Sequence, residues 1–188
     1  MVPREMNLRK KNILITGRPG VGKSTIIHRV VERLRALGYT EIGGFYTLEM
    51  SHEGKRTGFA IHTLDGRVGR LAEAGLESRF RPGRYGIDME QFESVALSAV
   101  EEAINKGMMV VIDEIGYMEL KSRRFRELVL KALDSKPPVL ATIMRSHFDF
   151  PDDIKARDDV MLITVKVDNR DRIVEEICAM IWQDWQKR

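Results

Sequence analysis

The chain has 188 residues, 43% of them hydrophobic and 31% charged, the composition of one globular domain with a sizeable core. This excludes a disordered, collagen-like or disulfide-stapled scaffold. Thirty-one Lys and Arg against 28 Asp and Glu leave a net charge of +3, too mild a field to demand a polyanionic partner, so a nucleic-acid partner is left open but unsupported.

Residues 1–11 contain Arg4, Arg9, Lys10 and Lys11 and read as a basic, solvated tail. The apolar run that follows is too short for a secretory leader, and nowhere do about 18 apolar residues stand together as a membrane span would need. With the single cysteine, Cys178, unable to form a disulfide within the chain, the expectation is a cytoplasmic monomer with no membrane partner.

Residues 12–16 read as a buried strand, and residues 24–37 as a helix with Ile26, Ile27, Val30, Val31, Leu34 and Leu37 on one stripe and Gly38 to end it. From residue 43 to 71 short alternating runs separated by SHEG and DG predict two or three antiparallel strands, a β-insertion. Residues 72–88, with Arg79, Arg81 and Arg84 and no steady period, read as a loop long enough to form an arginine-rich lid. Helical spacing returns over 92–104, a buried strand over 108–113, a helix over 125–133, strands over 138–143 and 161–167, and an amphipathic helix over 173–185. The alternation predicts one α/β domain, a mostly parallel sheet flanked by helices in three layers with a small antiparallel insertion. Ligands of such sheets bind at the carboxyl ends of the strands.

Two of those ends carry chemistry. Gly17-Arg18-Pro19-Gly20-Val21-Gly22-Lys23-Ser24 matches G-x-x-x-x-G-K-[ST] between a predicted strand and a predicted helix. Glycines let backbone amides approach phosphate oxygens, and the helix start adds its free N–H groups and positive dipole end. Lys23 supplies a charge for the β- and γ-phosphates, Ser24 a hydroxyl for Mg²⁺, and Thr25 a further phosphate contact. The strand MVVID ends in Asp113 and Glu114: Asp113 is placed on the metal side, and Glu114 is suited to orient or deprotonate an attacking water. Asp113-Glu-Ile-Gly116 also fits the Asp-x-x-Gly element of GTPases, but no Asn-Lys-x-Asp accompanies it.

Taken in order, GRPGVGKST, GGFYT, TGFAIHTLDG, RYGIDMEQFE, VVIDEIGYMEL, KPPVLATI and VDNRD resemble the small nucleoside-triphosphatases of the THEP1, or cancer-related, type. The resemblance implies a RecA-like P-loop fold and Mg²⁺-dependent hydrolysis of ATP, GTP, CTP and UTP to the diphosphate and phosphate. It also implies the roles above for Gly17 to Ser24, Asp113 and Glu114. Two departures stand out: Tyr117 occupies the place of the family's lysine, and Leu48-Glu49-Met50-Ser51 that of its acidic-basic run.

Other residues carry weaker signals. Arg145 and the lid arginines are candidates for an internal arginine finger. Asn169 and Arg170 are candidates for a base contact, and helix capping by Asn169 or Asp171 is an equal reading. His28, His52, His62 and His147 read as structural or exposed, Trp182 and Trp185 as core and rim, and Cys178 as inert. Two rival functions remain at this level. One is a nucleoside or nucleotide kinase, prompted by the lid and the Gly-x-Pro-Gly-x-Gly-Lys loop; the other is a nucleotide-gated RNA- or protein-binding module.

Overall fold

The computed structural model describes residues 10–187. Eight strands form one sheet in the order β5-β4-β3-β2-β6-β7-β1-β8. They are β1 Asn12–Gly17, β2 Ile42–His52, β3 Lys55–Thr63, β4 Val68–Ala74, β5 Tyr85–Ile87, β6 Met109–Ile115, β7 Val139–Ile143 and β8 Val160–Val165. The helices are α1 Lys23–Ala36, α2 over residues 89–105, α3 Arg123–Asp134, α4 Asp149–Lys155 and α5 Arg170–Trp185. Within α2 the stretch Phe92–Leu97 is wound in wider, π-type turns.

The five strands β2, β6, β7, β1 and β8 pair in parallel, while β2, β3, β4 and β5 pair antiparallel. Alternation along the parallel strands divides the core into two layers. Ile13, Ile15, Met109, Val111 and Leu140 face α1 and α5, meeting Ile26, Val30, Leu34, Ile173 and Ile177. Leu14, Val110, Ile112, Val139 and Ala141 face α2 and α3, meeting Phe92, Val100, Phe125 and Val129. This is the three-layer α/β arrangement that the alternation of periods predicts.

Several boundaries move. The β-insertion does not begin as a separate unit at residue 43, because the first half of β2 is a strand of the parallel sheet, with Ile42 opposite Met109 and Tyr46 opposite Asp113. Only its second half belongs to the antiparallel extension; a period of two does not reveal which neighbour a strand pairs with. The segment 72–88 is not a free loop. β4 runs to Ala74, β5 returns to pair with it, and the intervening 75–84 lies against the sheet with Phe80 packed on the core and its carbonyl accepting from the Ile87 amide at 2.9 Å. The helix α4 was not anticipated: its seven residues, DFPDDIK, are too few and too acidic to show an apolar stripe, although Pro151 in the first turn suits a helix start. Of the basic tail, residues 1–9 lie outside the described residues; Lys10 is exposed and Lys11 donates to the Ser135 carbonyl.

At the centre of the α2–α3 layer three fully buried rings, Phe45, Phe92 and Phe125, meet edge to face with centroids 5.9, 6.2 and 5.3 Å apart. Replacing Phe92 by alanine is expected to cost about 3–5 kcal/mol through lost burial and the cavity left behind. Urea unfolding should show it as a lower midpoint with an unchanged slope.

Candidate phosphate and metal site

The loop from Gly17 to Ser24 leaves the carboxyl end of β1 and runs directly into α1. Gly17 lies against β8 so closely that a Cβ there would stand 2.9 Å from the Val165 carbonyl oxygen. Gly22 caps α1 in the left-handed region, φ +106°, a conformation closed to most side chains. These two constraints turn the amides of the first α1 turn outward. The Lys23 ammonium donates to the carbonyls of Gly17 and Arg18 at 3.5 and 3.4 Å and so lies over the loop. Arg18, Pro19, Gly20, Ser24 and Thr25 are exposed and Val21 is half-buried, an open cradle of donors.

One strand, β7, separates β1 from β6, and all three run in the same direction, so Asp113 and Glu114 emerge at the same sheet edge as the loop. Met109 and Val111 face α1, and period two puts Asp113 on that face as well. Its carboxyl is 1% exposed. Oδ1 accepts from the Thr142 hydroxyl of β7, while Oδ2 is buried without a hydrogen-bond partner. Burial pushes this carboxyl above its ordinary value, opposed by the Thr142 and Ser24 hydroxyls, His28 and Lys23. An unsatisfied buried carboxylate oxygen beside a serine hydroxyl is a pair of hard oxygen donors. That suits Mg²⁺, which keeps much of its water and takes phosphate oxygens. Among the described residues no group of three or more His, Cys, Asp or Glu forms an all-protein metal cage.

The peptide between Asp113 and Glu114 is cis, and the ladder to β7 breaks register between Ile112 and Ile115. Burial raises the Glu114 carboxyl, Lys23 lowers it and Asp113 raises it further. Gly116 makes room for this acid and for another: a Cβ there would stand 2.9 Å from both Glu114 Oε1 and Glu119 Oε2. Glu119 is a buried carboxyl that sequence reasoning passed over, because a lone acid in a short turn carries no periodic signal.

Two further neighbours were also missed. Tyr46, beside Asp113 in the β2–β6 register, is flanked by His28 at 4.2 Å, edge to face, and by His62 at 5.7 Å, stacked. His28 stands one turn beyond Ser24 on α1, and its Nε2 is buried without a partner. The helical spacing of Ser24 and His28 was legible, but the strand that would face them was not.

The weaker candidates separate clearly. Arg145 lines a cavity of about 390 Å³ with Gly17, Arg18, Val21, Val165 and Val167. The lid arginines do not share it: β5 is six strands from β1, about 29 Å at the usual strand spacing, with Arg84 bound to the Arg56 carbonyl. Asn169 stands at the N-cap of α5, its carbonyl accepting from the Ile173 amide at 3.1 Å, but its side chain makes no capping bond. Its Oδ1 accepts from the Lys166 amide at 2.8 Å and its Nδ2 donates to the Thr164 carbonyl at 3.1 Å, tying the turn between β8 and α5. Arg170 packs near Gly22. Trp185 stacks on Tyr39 at 5.1 Å beside Trp182, and burial pushes the Cys178 thiol up to about 11, in keeping with a packing role.

The model of a family described as NTPase matches residues 12–178. Over 169 residues the chain is 44% identical to the nucleoside-triphosphatase THEP1 of Thermotoga sp. strain RQ2, covering 90% of this chain and 94% of the relative. It is 42% identical to the protein of the same name from Thermofilum pendens, covering 91% and 97%. Two solved structures superpose closely at 34% identity: the crystal structure of THEP1 from Aquifex aeolicus, with a TM-score of 0.80 over 90% of this chain and 98% of that one, and the solution structure of a human cancer-related nucleoside triphosphatase, with 0.79 over 91% and 97%.

The Glu119 carboxyl gives stability a pH dependence. Burial, with Glu114 and Asp113 nearby, raises it from 4.5 to about 8, against hydrogen bonds from the Gly116 and Glu119 amides. Between those two values the folded chain holds a proton that the unfolded chain has released, so stability falls as pH rises, by about 1.4 kcal/mol per pH unit at most. Glu119→Gln keeps the shape and removes the ionisation. Urea unfolding from pH 5 to 8 should show a shallower decline than in the parent chain, with the residual slope left to Asp113 and Glu114.

Proposed function

The chain belongs to the family of THEP1-type nucleoside-triphosphatases, and from that membership we propose that it hydrolyses nucleoside triphosphates at the loop of residues 17–24 with Mg²⁺ and a water activated by Glu114. The observation that supports this most is the shared edge: a cradle of backbone donors on β1 and a pair of acids on β6 open to the same side, one strand apart.

In this reading the amides of Gly20, Val21, Gly22 and Lys23 hold the β- and γ-phosphates, and the Lys23 ammonium transfers from its own loop carbonyls to the anion. Thr25 adds a contact at the phosphates. Ser24 and Asp113 would hold Mg²⁺, Asp113 offering its buried, unsatisfied oxygen. When bound, the ion neutralises charge developing on the transferred phosphoryl group. Glu114 orients a water toward the γ-phosphorus and takes its proton as the bond to the diphosphate breaks. Its elevated affinity for protons suits a base working near neutrality.

The 390 Å³ cavity beside Gly17 and Val21 is the reading's base site. Val21, Val165 and Val167 offer it apolar walls, and no side-chain amide is among its lining residues to read a base edge. This supports a substrate range spanning ATP, GTP, CTP and UTP. Transfer to an acceptor hydroxyl, as in a kinase, is supported less, because the arginine-rich segment belongs to the far edge of the sheet.

Phosphate release from each of the four triphosphates, with and without Mg²⁺ and with no acceptor present, tests the assignment. All four are expected to turn over, and chelating the metal should abolish release. Glu114→Gln is expected to keep nucleotide affinity within severalfold while turnover falls by about 10²–10⁴. Lys23→Ala is expected to lose both affinity and turnover. Full phosphate release by Glu114→Gln would remove Glu114 from the reaction.

A further inference from the structure

Two large aromatic side chains stand in solvent beside the acid pair. Tyr117, just beyond Gly116 at the end of β6, is 47% exposed, and Phe148, at the start of α4, is 50% exposed. Their ring centroids are 6.3 Å apart at 48°, so together they form one apolar, π-rich surface. It borders a cavity of about 260 Å³ walled by Leu120, Met144 and Phe150. This cavity shares no lining residue with the one beside the phosphate loop. Neighbouring exposed aromatics of this kind mark contact with another molecule more often than ordinary surface.

The charges around the surface indicate what that molecule is. Lys121 stands 4.0 Å over the Tyr117 ring, and Arg126 lines the cavity. On α3 the neighbouring Arg123 and Arg124 are taken up by Glu127 and Glu93. Among the described residues no carboxylate pairs with Lys121 or Arg126 within 4.0 Å. Asp149 is the one acid lining the cavity. Two cations without a carboxylate partner beside two aromatic rings suit a ligand that alternates planar rings with negative charges.

We propose that this cleft binds a single-stranded nucleic-acid segment, with a base stacked on Tyr117 and Phe148 and flanking phosphates on Lys121 and Arg126. Stacking accepts any base, because every base has a π face, and the cations follow the backbone without reading sequence. An acidic peptide would satisfy the cations, but it would leave the two π faces without a planar partner. The cleft is built without the phosphate loop, so this binding does not depend on the hydrolysis proposed above.

The test is fluorescence anisotropy of end-labelled 12-nucleotide oligouridine and oligothymidine on the full chain, titrated across salt. Binding is expected with either oligonucleotide, with a slope of log affinity against log salt of about −1.4 for two phosphates. Tyr117→Ser with Phe148→Ser should weaken it about tenfold or more. Both positions are exposed, so the fold should persist. Lys23→Ala should leave the affinity within twofold. Independently, 5-iodouracil in the oligonucleotide should photocrosslink to peptides containing Tyr117 or Phe148. Four outcomes would each overturn the assignment: no binding at low salt, an affinity indifferent to the double substitution, loss of binding in Lys23→Ala, or displacement by an acidic, aromatic peptide at concentrations where unlabelled oligonucleotide fails to compete.

Discussion

The structure depends on the parallel pairing of β1, β7 and β6. Strands that run the same way must be joined by crossovers, and each crossover here returns the chain so that the next strand ends at the same sheet edge. The glycine loop and the acid pair are 96 residues apart, counting from Gly17 to Asp113, yet one strand's width separates their strands. The intervening strand also contributes: Thr142 of β7 reaches across to Asp113. A β6 running the other way would put the acids at the opposite edge, and the loop would hold an anion with nothing facing it.

That edge concentrates unlike electrostatic demands. Asp113, Glu114 and Glu119 are withdrawn from water and raised by burial; Asp113 makes ionisation of Glu114 harder, and Glu114 and Asp113 together make that of Glu119 harder. Against them stand the Lys23 ammonium and the outward amides at the start of α1. A buried carboxylate oxygen without a partner is costly unless a cation or donor satisfies it, which is why its place beside Ser24 is informative. Gly116 is part of the same arrangement, since a Cβ there would press on both the Glu114 and Glu119 carboxylates.

The antiparallel half of the sheet works differently. β3, β4 and β5 extend the sheet away from the loop and carry the arginine-rich segment with them, so Arg84 meets the Arg56 carbonyl and the Tyr85 ring, and Arg79 the Phe80 ring. Yet β2 belongs to both halves. Its first residues pair with β6 and bring Tyr46, flanked by His28 and His62, beside Asp113; its later residues begin the extension. The two exposed aromatics stand at the other side of the acids, on the connections that follow β6 and β7, so the strand ends that organise the phosphate site also present the second cleft.

What the amino-acid sequence determined by itself was local: the glycine spacing with Lys23 and Ser24, the acid-terminated apolar strand, and the change of period from strand to helix. Each is written in a few consecutive residues, because backbone conformation and one-sided burial act at short range. A resemblance spread over the whole length added the family. Tertiary structure decided everything that requires two distant segments to meet. It made β2 a member of the parallel sheet, carried the supposed lid to the far edge, and spent the Asn169 amide on its own turn. It also brought Tyr46, His28 and Thr142 to Asp113, Glu119 to Glu114, and Phe148 to Tyr117. Pairing partners and strand order are properties of the sheet, and a period of two along one strand is the same whichever neighbour that strand takes.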